Sequence, residues 1–399
     1  MLSKRAQGLK TSPTLFLVAK AKELQAQGHN VISLTVGEPD WPTYPVASEA
    51  GIEAIRTGFT KYTASNGTLE LRQAILKRTK LDLGLDYALS EVTVTGGAKF
   101  AIFAALQVLC DPEDEVVIHS PYWVSYPTMA ELADATPRLV RCDEESHFKI
   151  TAEALRKNIN AKTKVFLFCS PSNPTGFVYT QEELRALGEV LKEHPRICII
   201  SDDMYNRLMF DGSKCAPHIL QTTPELKSRT VIINGGSKAY SMTGWRIGWA
   251  LGPQKIIQAM GDYASQSTGA PSSIAQAAAT QALTQAEPNI HETNQTLQKR
   301  LQVALEALQS ISQFKVFEPQ GAFYLWVDVR RALGRSYQGQ KIETSKDFCQ
   351  VLLEKFFVAT VPGEEFGNPG YMRLSFAIDS GRMLEAIQRM KSLIAEMKS

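Results

Sequence analysis

The chain has 399 residues, 44% of them hydrophobic, and its 43 basic and 41 acidic residues give a formal net charge of +2. That is enough to bury a large core: length alone predicts two or three domains, with one large α/β domain plus a smaller one equally open. The charges are mixed and form no basic tract, which argues against nucleic acid or a membrane surface as a partner, and no segment is apolar for long enough to span a bilayer. The first residues, Met1–Arg5, are not followed by the apolar stretch of a signal peptide. Six cysteines, at 110, 142, 169, 198, 215 and 349, form no CxxC pair, and the six histidines do not cluster. These features predict reduced thiols in a cytoplasmic setting and no metal site.

From about residue 90 to 260, short β-branched runs alternate with helix-period stretches. The predicted strands are Val92–Thr95, Glu115–His119, Val165–Cys169, Ile197–Ser201 and Thr230–Asn234. Helices are predicted between them, such as Lys99–Cys110, stopping at Asp111-Pro112, and Gln181–Glu193. This alternation predicts a mostly parallel sheet between helices. A longer amphipathic helix is predicted over Asn294–Ile311, where Leu297, Leu301, Leu305, Leu308 and Ile311 recur at steps of three and four. Beyond it, Gly321–Asp328 and Tyr371–Phe376 read as strands of a smaller α+β unit. The boundary is placed near residue 290.

In open α/β sheets ligands sit beyond the carboxyl ends of the strands, and those ends carry the polar residues here. After the first strand comes Gly96-Gly-Ala-Lys99, opening a helix whose free N–H groups favour a phosphate. After the third comes Ser170-Pro-Ser-Asn-Pro-Thr-Gly176, presenting Asn173, and after the fourth Asp202 and Tyr205. After the fifth comes Asn234-Gly-Gly-Ser-Lys-Ala-Tyr-Ser-Met-Thr-Gly-Trp-Arg246. A lysine at a buried strand end can form a Schiff base, for which it must lose its proton. Arg246, eight residues after Lys238 and expected two helical turns away, can clamp a phosphate.

Each feature has a plainer reading: two solvated charges, an ordinary Asn-Pro-x-Gly turn, a helix-capping Asp202, a tight Gly-Gly turn. Together they describe a site for covalently held pyridoxal phosphate. Asp202 would keep the pyridine nitrogen protonated. Asn173 and Tyr205 would bond the 3-oxygen, and Ser237, Arg246 and the N–H groups of Gly97 and Ala98 would hold the phosphate. Lys238 would form the Schiff base and later shuttle the proton. Arg373 points away from Met372, Leu374 and Phe376 on its strand, as a carboxylate clamp or as an exposed strand residue.

The chain resembles the class I aminotransferases of pyridoxal-phosphate fold type I, and more narrowly the bacterial-type aspartate aminotransferases. The resemblance rests on Leu34–Asp40, Lys61–Gly67, Ser120–Pro127, Ser172–Gly176, the Lys238 segment, Gly321–Tyr324 and Val361–Phe366. It implies an α/β fold with a mostly parallel seven-stranded sheet between helices, plus a smaller α+β domain. The implied domains are an N-terminal arm with part of the small domain (1–45), a large cofactor-binding domain (46–290) and the C-terminal small domain (291–399). It supports the roles of Lys238, Asp202, Tyr205, Asn173, Arg246 and Arg373. To these it adds Trp123 stacking on the cofactor ring and the Gly37 backbone at the substrate carboxylate. Tyr62 is implied to reach the cofactor phosphate of the partner in a homodimer with shared sites.

Two departures stand out. Gly235 replaces a serine that some relatives carry, and Asp262–Pro271 lacks the arginine that animal-type aspartate enzymes use for the distal carboxylate. In the bacterial subgroup a lysine takes that role, and Lys99 matches it, with Ser12 as a helper. Lys99 reads equally as an exposed residue in a first helical turn. The expected activity is transfer of the amino group of L-aspartate to 2-oxoglutarate, giving oxaloacetate and L-glutamate by a ping-pong mechanism. Prephenate (left open by Lys10), aromatic or alanine aminotransferase is the alternative. A pyridoxal-phosphate lyase stands further off, and a DNA-binding regulator finds no basic helix to support it.

Overall fold

A computed structural model describes residues 1–8 and 13–398 of the chain. Among them, a seven-stranded sheet runs in the order Val92–Thr95, Gly248–Leu251, Thr230–Gly235, Cys198–Asp202, Thr163–Cys169, Glu115–Ser120, Thr136–Arg141. Every pairing is parallel except the two made by Gly248–Leu251, which runs against both neighbours. The other six strands therefore point the same way, and their carboxyl ends share one edge. The core strands are buried along nearly their whole length, as β-branched and aromatic runs covered by helices on both faces must be.

The five strands predicted for this sheet lie within two residues of the observed ones. Two further strands of the sheet escaped the sequence reading. Thr136–Arg141 carries Pro137 and two arginines on an exposed edge, where a missing donor is tolerated. Gly248–Leu251 has four residues and begins with glycine, too short for a period to show. The helices Ala98–Leu109 and Gln181–Lys192 match their predictions, the second through a Thr180–Glu183 capping box. The long helix starts earlier than predicted, at Glu287, because Pro288 can occupy its first turn, and it ends at Gln309.

The second sheet is antiparallel, in the order Val361–Pro362, Tyr371–Ser375, Tyr324–Asp328, Lys315–Phe317. The N-terminal segment joins this unit, for Ile32–Ser33 pairs in parallel with Val358–Ala359, and Leu34 accepts a backbone bond from Ser375. It then crosses to the large sheet as a strap. Trp41 Nε1 donates to Ser241 Oγ at 2.7 Å, Thr43 Oγ1 to the Ser241 carbonyl at 2.6 Å, and Thr243 Oγ1 to the Glu38 carboxylate. Arg300, on the long helix, pairs with Asp40 at 2.7 Å and lies 5.2 Å over the Trp41 ring. No helix among the described residues is long and apolar enough to cross a membrane.

Candidate active site

Beyond the carboxyl ends of the parallel strands, facing the second sheet, lies a cavity of about 260 Å³. Among the described residues its wall carries four cations, Lys99, Lys238, Arg246 and Arg373, against one carboxylate, Asp202. Such an imbalance suits a ligand rich in negative charge.

Lys238 follows the strand Thr230–Gly235, and its Nζ donates to the Gly37 carbonyl. Burial pulls its pKa down to about 8, because a charged amine loses hydration there. The stretch between Lys238 and Arg246 corrects one expectation: it forms non-helical turns, closed by a bond from the Met242 N–H to the Gly236 carbonyl. Arg246 has a left-handed φ of 53°, and its Nη1 donates to the Thr243 carbonyl at 2.9 Å. This turns the guanidinium onto Gly97, where a Cβ would come within 2.7 Å of Nη2. Gly97 also has φ +95°, which side chains rarely adopt. The next residue, Ala98, opens a helix whose first N–H groups have no partner within it. Ser237 is buried in the same wall. Gly235 has its own reason to be glycine: a Cβ there would meet the Ile247 carbonyl at 2.9 Å and Gly248 Cα and Met204 Cε at 3.1 Å.

Asp202 closes the strand Cys198–Asp202 at 5% exposure. One oxygen accepts the Tyr126 hydroxyl at 2.5 Å and the other the Met204 N–H at 3.2 Å. Burial pushes its pKa up to about 6, against those two donors. Tyr205 shares a 2.7 Å hydrogen bond with Tyr324, and burial raises its pKa well above the usual range. Arg373 is 3% exposed, which sets aside the exposed-strand reading. Its Nη1 donates to Asn173 Oδ1 at 2.9 Å and its Nη2 to the Thr35 carbonyl at 2.5 Å, and its centre lies 4.4 Å over the Tyr324 ring. Its Nε finds no hydrogen-bond partner in the protein. Trp123 lines the cavity with Lys99 Nζ 5.0 Å from its ring. Burial, then Arg246, lowers the Lys99 pKa. Lys99 thus stands both in a first helical turn and at the cavity.

Gly37 lines the cavity too, with Tyr324 Oη where its Cβ would be. Tyr62 is not brought in: it is fully exposed, beside a separate surface hollow. Ser12 and Lys10 lie outside the described residues. Two contributors were missed as site residues, Tyr126 and Tyr324. Both fall inside motifs quoted above, yet only the fold turns their hydroxyls inward. Among the described residues no cluster of three His, Cys, Asp or Glu could hold a metal ion.

These groups fit pyridoxal phosphate. A glycine cradle, a helix start and Arg246 meet at Gly97, and the enclosed Lys238 amine and the buried Asp202 carboxylate line the same cavity. The profile of the family Aminotransferase class I and II matches residues 29–390. The chain is 46% identical over 396 residues to an aspartate/prephenate aminotransferase of Nitrosomonas europaea, covering 99% of this chain and all of that one. Its fold superposes on the aspartate aminotransferase of Rhizobium meliloti with TM-score 0.96 at 39% identity, covering both chains fully. It superposes on the Thermus thermophilus aspartate aminotransferase solved with maleate with TM-score 0.92 at 36% identity, covering 98% and 99%. The chain therefore belongs to the class I and II aminotransferases and is a pyridoxal-phosphate-dependent enzyme.

Proposed function

We propose that this aminotransferase moves the amino group of L-aspartate to 2-oxoglutarate, giving oxaloacetate and L-glutamate. The observation that carries the reading is the pair of cations flanking the cavity: buried Arg373, held by Asn173, and Lys99 beside Trp123. Two cations lining one cavity suit a dicarboxylate, the chemical class of the maleate named for the Thermus neighbour.

Pyridoxal phosphate, when bound, supplies the carbonyl that an amine condenses with and the ring that acidifies the substrate's Cα–H. In this reading Arg246, Ser237 and the N–H groups of Gly97 and Ala98 hold its phosphate. Asp202 keeps the ring nitrogen protonated, Trp123 covers the ring face, and Asn173 and Tyr205 hold the 3-oxygen. Lys238, with an amine already easily deprotonated, takes the proton from Cα and returns it on the far side of the reaction. Arg373 and the Gly37 backbone orient the α-carboxylate, and Lys99 reads the distal one, with Ser12 assigned as its helper.

We read the division of labour as a large cofactor-binding domain over 46–290 and a small domain built from 1–45 and 291–399. The strand pairing of Ile32–Ser33 with Val358–Ala359 supports that grouping. Tyr62 is assigned to the partner's phosphate in a homodimer; its full exposure, with Ile52, Ile55, Phe59 and Leu69 also exposed nearby, supports this. Six free cysteines support a reducing, cytoplasmic setting.

The test is a coupled assay of oxaloacetate release from L-aspartate and 2-oxoglutarate by the holoenzyme. Activity is expected, abolished in Lys238→Ala, with KM for aspartate raised about tenfold or more in Lys99→Ala. No turnover of any dicarboxylic amino acid overturns the substrate assignment. The name of the Nitrosomonas relative favours prephenate as a second acceptor, and the same assay with prephenate in place of 2-oxoglutarate decides it.

A further inference from the structure

We propose that Tyr126 is a positioning residue for the cofactor ring, its hydroxyl fixing the Asp202 carboxylate while its ring buttresses Trp123. The proposal rests on the cofactor reading above and assigns a role to a side chain that acts through Asp202 and Trp123.

Tyr126 is 2% exposed and opens the helix Tyr126–Leu132, its N–H tied to the Trp123 carbonyl at 2.9 Å. Its hydroxyl meets Asp202 Oδ2 at 2.5 Å. The direction of that bond is fixed by chemistry: burial beside a carboxylate keeps the phenol protonated, so it donates. With Met204 N–H on Oδ1, each Asp202 oxygen has one donor, and the carboxylate plane cannot rotate without losing both. The ionisable groups around Asp202 are Tyr126, the Cys169 thiol, Lys238 and the buried Asp203 carboxylate, whose hydrogen bond is from the Ser201 hydroxyl. Burial keeps the thiol neutral, and its Sγ is turned to the Pro171 carbonyl. With the thiol so directed, Tyr126 is the side chain that donates to Asp202.

The same residue also packs against Trp123, the group assigned to the ring face. Its ring meets that of Trp123 edge to face, centroids 5.4 Å apart at 87°. One rigid, buried side chain thus links the group placed at the ring nitrogen with the group placed on the ring face. Without the hydroxyl, a buried Asp202 takes up a proton more readily, and a protonated Asp202 cannot keep the ring nitrogen charged.

Tyr126→Phe removes the hydroxyl and leaves the packing against Trp123. The experiment measures pyridoxal phosphate affinity of the full-length apoprotein by absorbance titration across neutral and mildly alkaline pH. Wild type, Tyr126→Phe, Asp202→Asn and the double variant are compared, with Tm of each apoprotein alongside. Tyr126→Phe is expected to bind about tenfold more weakly at neutral pH, the loss of one hydrogen bond to a charged group. The deficit should grow as pH falls, with Tm little changed. In the Asp202→Asn background the tyrosine substitution should cost almost nothing further, because it acts through Asp202. Wild-type affinity in Tyr126→Phe, or a deficit that adds in full to that of Asp202→Asn, overturns the proposal. An Asp202→Asn variant that binds as tightly as wild type overturns the role of Asp202 itself, and the Tyr126 proposal with it.

Discussion

At the scale of single residues, the Lys238 amine behaves unlike a surface lysine. Burial holds its pKa near 8, so its neutral, nucleophilic fraction rises steeply as pH passes that value. Loading of the apoprotein with pyridoxal phosphate should therefore speed up as pH rises through about 8 and level off above it. Stopped-flow absorbance checks this, and a rate indifferent to pH would contradict it. The sequence made Lys238 legible because its neighbours are distinctive: an apolar strand before it, small residues around it, an arginine after it. Asp202, Tyr205 and Asn173 were legible as polar groups at strand ends, and Arg373 as the charged residue on a largely apolar strand. Tyr126 and Tyr324 were not, because a tyrosine in a helix or strand is an ordinary core residue until a partner comes within reach of its hydroxyl. Here those partners, Asp202 and Tyr205, come from distant parts of the chain.

At the scale of elements, the antiparallel strand Gly248–Leu251 explains both a missed prediction and a departure from relatives. The turns before it bring Arg246 back onto Gly97, so the arginine that helical spacing would have placed two turns away reaches the glycine by a reversal of direction. The same reversal packs Ile247 and Gly248 against Gly235. Gly235→Ser, which restores the residue some relatives carry, should destabilise this chain by about 1–3 kcal/mol through overpacking. A lowered denaturation midpoint is the expected result, and an unchanged midpoint would mean that the Ile247 turn gives way freely. The parallel strands were legible because buried β-branched runs alternate with helical ones. The edge strand and the reversed strand were hidden by Pro137 and by sheer shortness.

At the scale of the whole molecule, the strap over residues 37–43 links the two sheets, and Arg300 fastens it from outside. The ion pair is partly exposed, so its worth is about 0.2–1 kcal/mol. Arg300→Ala should raise KM for the amino acid by no more than about fivefold. Cofactor affinity should hold, while amide exchange in residues 37–43 quickens. Unchanged exchange would show that the Trp41 and Thr43 bonds hold the strap unaided.

The order in which the chain supplies the site has a consequence for its biosynthesis. The walls assigned to the phosphate and the ring come from Gly97, Trp123, Asp202, Lys238 and Arg246, and the sheet that aligns them ends at Leu251. Arg373, assigned to the substrate carboxylate, and the strand that pairs with the N-terminal segment come from the last part of the chain. A ribosome that has released residue 251 has already delivered the walls assigned to the cofactor, together with Gly37 and Lys99, while the buried arginine assigned to the α-carboxylate is still to come.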